Sequence, residues 1–431
     1  MNNKKSEERK SWLWIPSLYL AEGLPYVVVM TVSVIMYKRL EISNTDIALY
    51  TSWLYLPWVI KPFWSPVVDL LKTKRFWIIT MQFFIGAALA GVALTLPTDN
   101  YFRYTLAFFW LMAFSSATHD IAADGFYMLG LKEHEQAFFV GIRATFYRIA
   151  FIAGQGLLVI LAGQIEEYSG DIQYAWMITF FILAGLFILF FIYHFFILPH
   201  PKSDYKRSEV QLKKFFNEFV RTFASFFKKK EILLILLFIL LYRFAEAQLV
   251  KMASPFLLDA KDAGGLALTT SQVGLVYGTV GVIALSLGGI LGGIAAAKKG
   301  LKFWIWWMLV AINLPNVVYV YLAYTQTSNF ILVNACVAIE QFGYGFGFTA
   351  FMLYLIYVSE GGYKTAHYAI ATGFMALGMM LPGMISGWIQ EQLGYQNFFI
   401  WICLSTIPAF IITKFVKIDP LFGKKGNKQN E

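Results

Sequence analysis

Apolar runs of about twenty residues or more recur from one end of the chain to the other, separated by short polar turns. A helix of that length crosses a hydrocarbon core about 30 Å thick. Twelve such spans are predicted: residues 12–37, 46–70, 76–97, 102–130, 136–164 and 173–198, then 232–257, 270–296, 303–324, 329–357, 365–389 and 397–417. Turn signals divide them, among them Ile42-Ser43-Asn44-Thr45, Pro97-Thr98-Asp99-Asn100 and Tyr168-Ser169-Gly170-Asp171. The short alternating segments of a membrane β-barrel do not occur. The pattern predicts an all-α polytopic membrane protein of twelve transmembrane helices.

Composition agrees with that pattern. Of 431 residues, 58% are hydrophobic and 14% charged, where a soluble domain carries about 25% charge. A connection at 199–231 divides the spans into two sixes, predicting a tail at 1–11, bundles at 12–198 and 232–417, and a tail at 418–431. Lysine and arginine set the orientation. Nine lie between Lys202 and Lys230, and others on the same side include Lys72, Lys74, Arg75, Lys298, Lys299 and Lys302. The opposite connections hold Lys38, Arg39, Arg103 and Lys261. Both termini are therefore expected in the cytoplasm, and the net charge of +9 follows from topology without a nucleic-acid partner. The charged start leads directly into a full-length span, as in a tail rather than a cleaved signal peptide. Cys336 and Cys403 lie in apolar spans and suggest buried spectators. In the central connection Leu212, Phe215, Phe216, Phe219, Phe223, Phe226 and Phe227 recur at helical spacing, predicting a basic amphipathic helix on the inner leaflet.

The candidate chemistry lies inside the spans. A charge at bilayer depth costs about 2.5–3.5 kcal/mol on insertion scales and marks a protein interior or a watery path. The fourth span contains His119, Asp120 and Asp124, with the aspartates on one helix face. Counting about 1.5 Å per residue from the cytoplasmic ends places Glu22, Lys61, Asp120, Arg143 and Arg148 in one layer, with Asp124 a turn nearer the cytoplasm. In the second half Arg243, Glu246 and Lys251 mark one side of the seventh span, and Glu340 and Gln341 the middle of the tenth. These residues are candidates for proton coupling or substrate binding. Tyr26, Tyr127, Tyr147 and Tyr344 offer aromatic faces with polar tips, and Tyr242, Tyr277, Tyr354 and Trp388 extend that set. Aromatic planes and mixed charges suit a polar substrate with sugar-like faces.

The halves echo each other at an offset of 224. That offset sets Glu22 against Glu246, Lys74 and Arg75 against Lys298 and Lys299, and Arg143 against His367. Parallel six-helix repeats are the plan of the major facilitators. Asp69 followed by Lys74 and Arg75 resembles the cytoplasmic gating signature of that superfamily, without its usual glycine. Glu22-Gly23-Leu24-Pro25, Lys61-Pro62-Phe63-Trp64-Ser65-Pro66 and Asp120-Ile121-Ala122-Ala123-Asp124-Gly125 together resemble the muropeptide permease (AmpG) family. That family commonly has glutamine where His119 stands. The resemblance implies proton symport of anhydro-muropeptides or related wall amino sugars across a bacterial inner membrane. A monomer with no cofactor beyond the coupling proton is expected. A drug or sugar exporter is the alternative transporter. A membrane-embedded transferase would need a catalytic constellation, and neither H-E-x-x-H, G-x-S-x-G nor a metal-ligand cluster is present.

Overall fold

The computed structural model describes residues 2–201, 203–205 and 220–424. Nine helices among the described residues are long and apolar enough to cross a membrane. The last of these, Lys364–Phe415, holds two predicted spans, separated where Gly394 leaves helical geometry at φ 68° and ψ 163°. The helix Tyr101–Gly130, which carries both aspartates, is the fourth segment. The second segment is broken into Asn44–Trp53, Leu56–Val59 and Lys61–Leu71. Pro57 and Pro62 fall in the first turns of the latter two pieces, where a missing N–H costs least. With these the twelve predicted segments are accounted for, their bounds within a few residues of expectation.

The chain forms two compact units. The first comprises Met1–Leu40 and Ile60–Phe219; the second comprises Glu41–Val59 and Val220–Glu431. The expected boundary assigned the whole second segment to the first bundle. Its first part instead belongs with the second unit, because Asn44–Trp53 packs along Lys364–Leu404. There Gly387 meets the Asn44 carbonyl, so close that a Cβ would stand 1.9 Å from its oxygen.

In the first unit Trp14, Ile15, Leu18, Ile78, Ala122, Phe126 and Phe139 form a buried core. The first and fifth segments each relax into a π-helical stretch, Val28–Val32 and Ile152–Leu158. Such stretches recur at functional sites. These segments cross at Gly23, whose added Cβ would lie 2.7 Å from that of Ala150.

In the second unit Phe238, Tyr242, Met308, Phe351, Tyr354 and Ala371 lie in the buried core. The eighth and tenth segments approach through Gly288 and Gly345, whose missing side chains make room for the Phe342 and Leu285 carbonyls. This is the small-residue packing expected where lipid supplies no hydrophobic drive. Of the central amphipathic helix, Leu212, Phe215, Phe216 and Phe219 lie outside the described residues. At 220–227, which is helical, Phe226 is fully buried against Phe374 and His367, at centroid distances of 6.4 and 5.5 Å. Phe227 remains exposed.

Candidate functional site

In the first unit the predicted layer converges. Lys61 forms an ion pair with Asp120, and Arg143 pairs with Asp124 at 2.9 Å. The Arg143 guanidinium also lies over the rings of Tyr19, at 4.7 Å, and Tyr127, at 5.0 Å. Each such contact adds about 0.5–2 kcal/mol, depending on desolvation. Glu22 lies within electrostatic reach of both aspartates and both cations. It is buried, and its Oε2 finds no hydrogen-bond partner among the described residues. The paired side chains are more open: Lys61 and Asp120 keep 30% and 22% of their surface, Arg143 and Asp124 30% and 38%. The arrangement joins two cations and two matched carboxylates that keep exposed surface, packed against tyrosine rings that are themselves buried.

Local sequence explains the convergence. Asp120 and Asp124 are one helical turn apart, so two partners from different helices meet one face. Gly125 follows them because Lys74 passes there, and a Cβ would come within 2.7 Å of its Cε. The Tyr147 and Tyr26 rings reach the same region, each against Phe151 at 5.3 and 6.0 Å. Arg148 leaves its buried Nη1 without a hydrogen-bond partner among the described residues.

His119 stands apart from this face. It is fully buried, with Nε2 3.0 Å from the Gln82 amide nitrogen. The Gln82 oxygen lies 3.0 Å from His194 Nδ1, and His194 Nε2 lies 2.9 Å from Ser17 Oγ. Four helices are tied by one polar chain. Sequence reasoning missed Gln82, His194 and Ser17, because each is a lone polar residue in an apolar run.

The second unit holds a separate cluster. Arg243 donates to the Tyr344 hydroxyl and lies 4.7 Å over the Phe348 ring. Glu340 accepts from Gln341 Nε2 at 3.0 Å and from the Tyr319 hydroxyl at 3.4 Å. Glu246 is 1% exposed, and neither of its oxygens has a hydrogen-bond partner among the described residues. Lys251, also 1% exposed, donates to Thr51 Oγ1 at 2.9 Å and lies 5.3 Å over the Tyr55 ring. Tyr242 and Tyr354 are core residues, the former bonded to the Gly347 carbonyl at 3.0 Å, and Trp388 is 57% exposed. His367, opposite Arg143 in the repeat, meets Ser225 Oγ at 2.8 Å and carries no ion pair among the described residues.

Near the predicted gating loop, Asp204 accepts from the backbone N–H groups of Lys74 at 2.7 Å and Arg75 at 3.1 Å. A carboxylate on a helix N-terminus satisfies orphan donors and complements the dipole. Arg75 bonds the Leu198 carbonyl at 3.2 Å and also the Phe195 carbonyl. Asp69 lies in the helix Lys61–Leu71, and its side chain is outside the described residues. Asp204 was not anticipated from sequence, although an acid among the basic residues of the central connection was a usable signal.

The model of the Major Facilitator Superfamily matches residues 17–364. Putative transporter AmpG 4 of Rickettsia conorii is 24% identical over 93% of this chain and 94% of its own length. The anhydromuropeptide permease of Escherichia coli K12 is 24% identical over 92% of this chain and 77% of its own. Among solved structures, a bacterial homolog of the human lysosomal transporter Spinster superposes with TM-score 0.69 at 15% identity, covering 94% of this chain and 96% of that one. A D-xylose-proton symporter gives TM-score 0.69 at 12% identity, covering 94% and 98%. The twelve-segment plan, the convergent charges and these likenesses lead to one conclusion: the chain is a membrane transporter belonging to the major facilitator superfamily.

Proposed function

We propose that the protein is a proton-coupled importer of anhydro-muropeptides, or of smaller cell-wall amino sugars, in a bacterial inner membrane. The observation that carries this reading is the open pair of ion pairs, Lys61–Asp120 and Arg143–Asp124, set against tyrosine rings. Arginine binds a carboxylate through a planar fork of donors, and aspartate accepts from hydroxyl and amide N–H groups. The half-buried rings of Tyr26 and Tyr147 would cover the apolar face of a sugar ring. A substrate combining sugar hydroxyls, acetamido groups and a carboxylate meets each of these features. The 24% identity to the anhydromuropeptide permease of Escherichia coli supports the same substrate class.

In this reading the protein works as a monomer by alternating access, with both termini in the cytoplasm. The test is uptake of labelled N-acetylglucosaminyl-anhydro-N-acetylmuramic acid into vesicles under an imposed proton gradient. Accumulation that collapses with a protonophore is expected. Accumulation indifferent to the protonophore removes the coupling. No uptake by protein that transports another solute removes the substrate class.

A further inference from the structure

The proposed coupling needs a group that takes up a proton in one conformation and gives it up in another. Five acidic residues belong to the two interior clusters, and they differ in how their charge is met. Glu22 is buried with Oε2 unpartnered among the described residues, but two cations, Arg143 and Lys61, act on it through space. Asp120 and Asp124 each have a cation at ion-pair distance and keep exposed surface. Glu340 has two neutral donors, from Gln341 and Tyr319. Glu246 has neither a cation at ion-pair distance nor a hydrogen-bond donor among the described residues, and both its oxygens are sealed from solvent. An uncompensated buried carboxylate is strongly unfavourable. The pocket around Glu246 is matched to the neutral, protonated carboxyl.

The groups around it fit a proton-exchange site. Arg243, at the start of the same helix, acts on Glu246 through space, while its own hydrogen bond goes to Tyr344. Glu340 on the tenth segment, Tyr277 on the eighth and Tyr319 on the ninth lie within its electrostatic reach. Arg243 thus stands ready to meet the charge that appears when the proton leaves. Glu340 opposes that charge. The Glu246 proton is therefore held or released as the distances to these two groups of opposite sign change.

We infer that Glu246 is the residue that carries the coupling proton, while the ion-paired aspartates of the first unit serve the substrate. This inference rests on the coupling reading above. In each cycle the Glu246 carboxylate takes one proton from water on one side and returns it to water on the other. No other bond is made or broken.

The experiment compares wild type with Glu246→Gln in proteoliposomes, using the labelled disaccharide as probe. Gln is the neutral isostere of the protonated acid, so exchange of labelled for unlabelled substrate is expected to persist. Gradient-driven accumulation is expected to fall to the equilibrium level, with loss of the proton influx seen by an internal pH dye. Wild type that accumulates with the gradient, together with a Glu246→Gln variant that does the same, overturns the inference and leaves the coupling reading intact. Wild type that exchanges substrate but ignores the gradient overturns both. Should Glu246→Gln fail to fold, Glu246→Asp must keep gradient-driven uptake with a displaced pH profile. An unchanged profile overturns the inference. Independently of substrate, the infrared band of protonated carboxyls at neutral pH should lose intensity in Glu246→Gln, and an unchanged band counts against the inference.

Discussion

Arg143 makes contacts that lysine cannot reproduce. It pairs with Asp124 at 2.9 Å while lying over two tyrosine rings. A lysine keeps the charge and loses the planar fork and the stacking. Arg143→Lys is therefore expected to raise the KM for uptake about tenfold, the equivalent of about 1.4 kcal/mol. Transport assays over a substrate range check this, and an unchanged KM would remove Arg143 from the binding face. Gln82 tests a different property. Gln82→Leu leaves nitrogens of His119 and His194 buried without partners. Each orphaned group costs about 1–3 kcal/mol. A fall in the thermal midpoint on the order of 5 °C is expected in a detergent melt.

At the scale of elements, the crossing of the first and fifth segments depends on Gly23. Its Cβ would sit 2.7 Å from the Cβ of Ala150 and 3.1 Å from the Tyr147 carbonyl oxygen. Gly23→Ala should lower both folded yield and uptake, and Ala150→Gly in the same chain should restore much of each. Gly141→Ala, in open space on the fifth segment, should change neither. Size-exclusion profiles and vesicle uptake of the three variants and wild type decide the matter. The glycine in Glu22-Gly23-Leu24-Pro25 was visible in the sequence, but the neighbour it admits was not. Hydrophobic periodicity reports which face of a helix is apolar. It does not report which helix approaches it.

The same distinction holds for the whole molecule. Twelve spans were legible because each must satisfy its backbone hydrogen bonds inside lipid, which forces long continuous apolar helices. The charged layer was legible because ionisable residues are rare at that depth. The pairings Lys61–Asp120 and Arg143–Asp124 required three dimensions, as did the separation of His119 from its neighbour Asp120. Adjacent residues on a helix point about 100° apart, so sequence proximity does not place two neighbours on one face. The division of the second segment was hidden for another reason: its prolines signalled breaks, but not which neighbours each piece would choose. As a monomer, the detergent-solubilised protein should show one chain of 49.1 kDa by light scattering. A dimer mass that persists on dilution would exclude that state.

The chain of Ser17, His194, Gln82 and His119 also has an evolutionary consequence. Its members lie 177, 112 and 37 positions apart in successive pairs, yet each fixes the donor and acceptor roles of the next. A single replacement in the middle strands both neighbours, so these four sites cannot drift one at a time. Relatives carrying glutamine in place of His119 should show compensating changes at Gln82 or His194. Across a set of such transporters these positions should therefore vary together, while the surface around them varies freely.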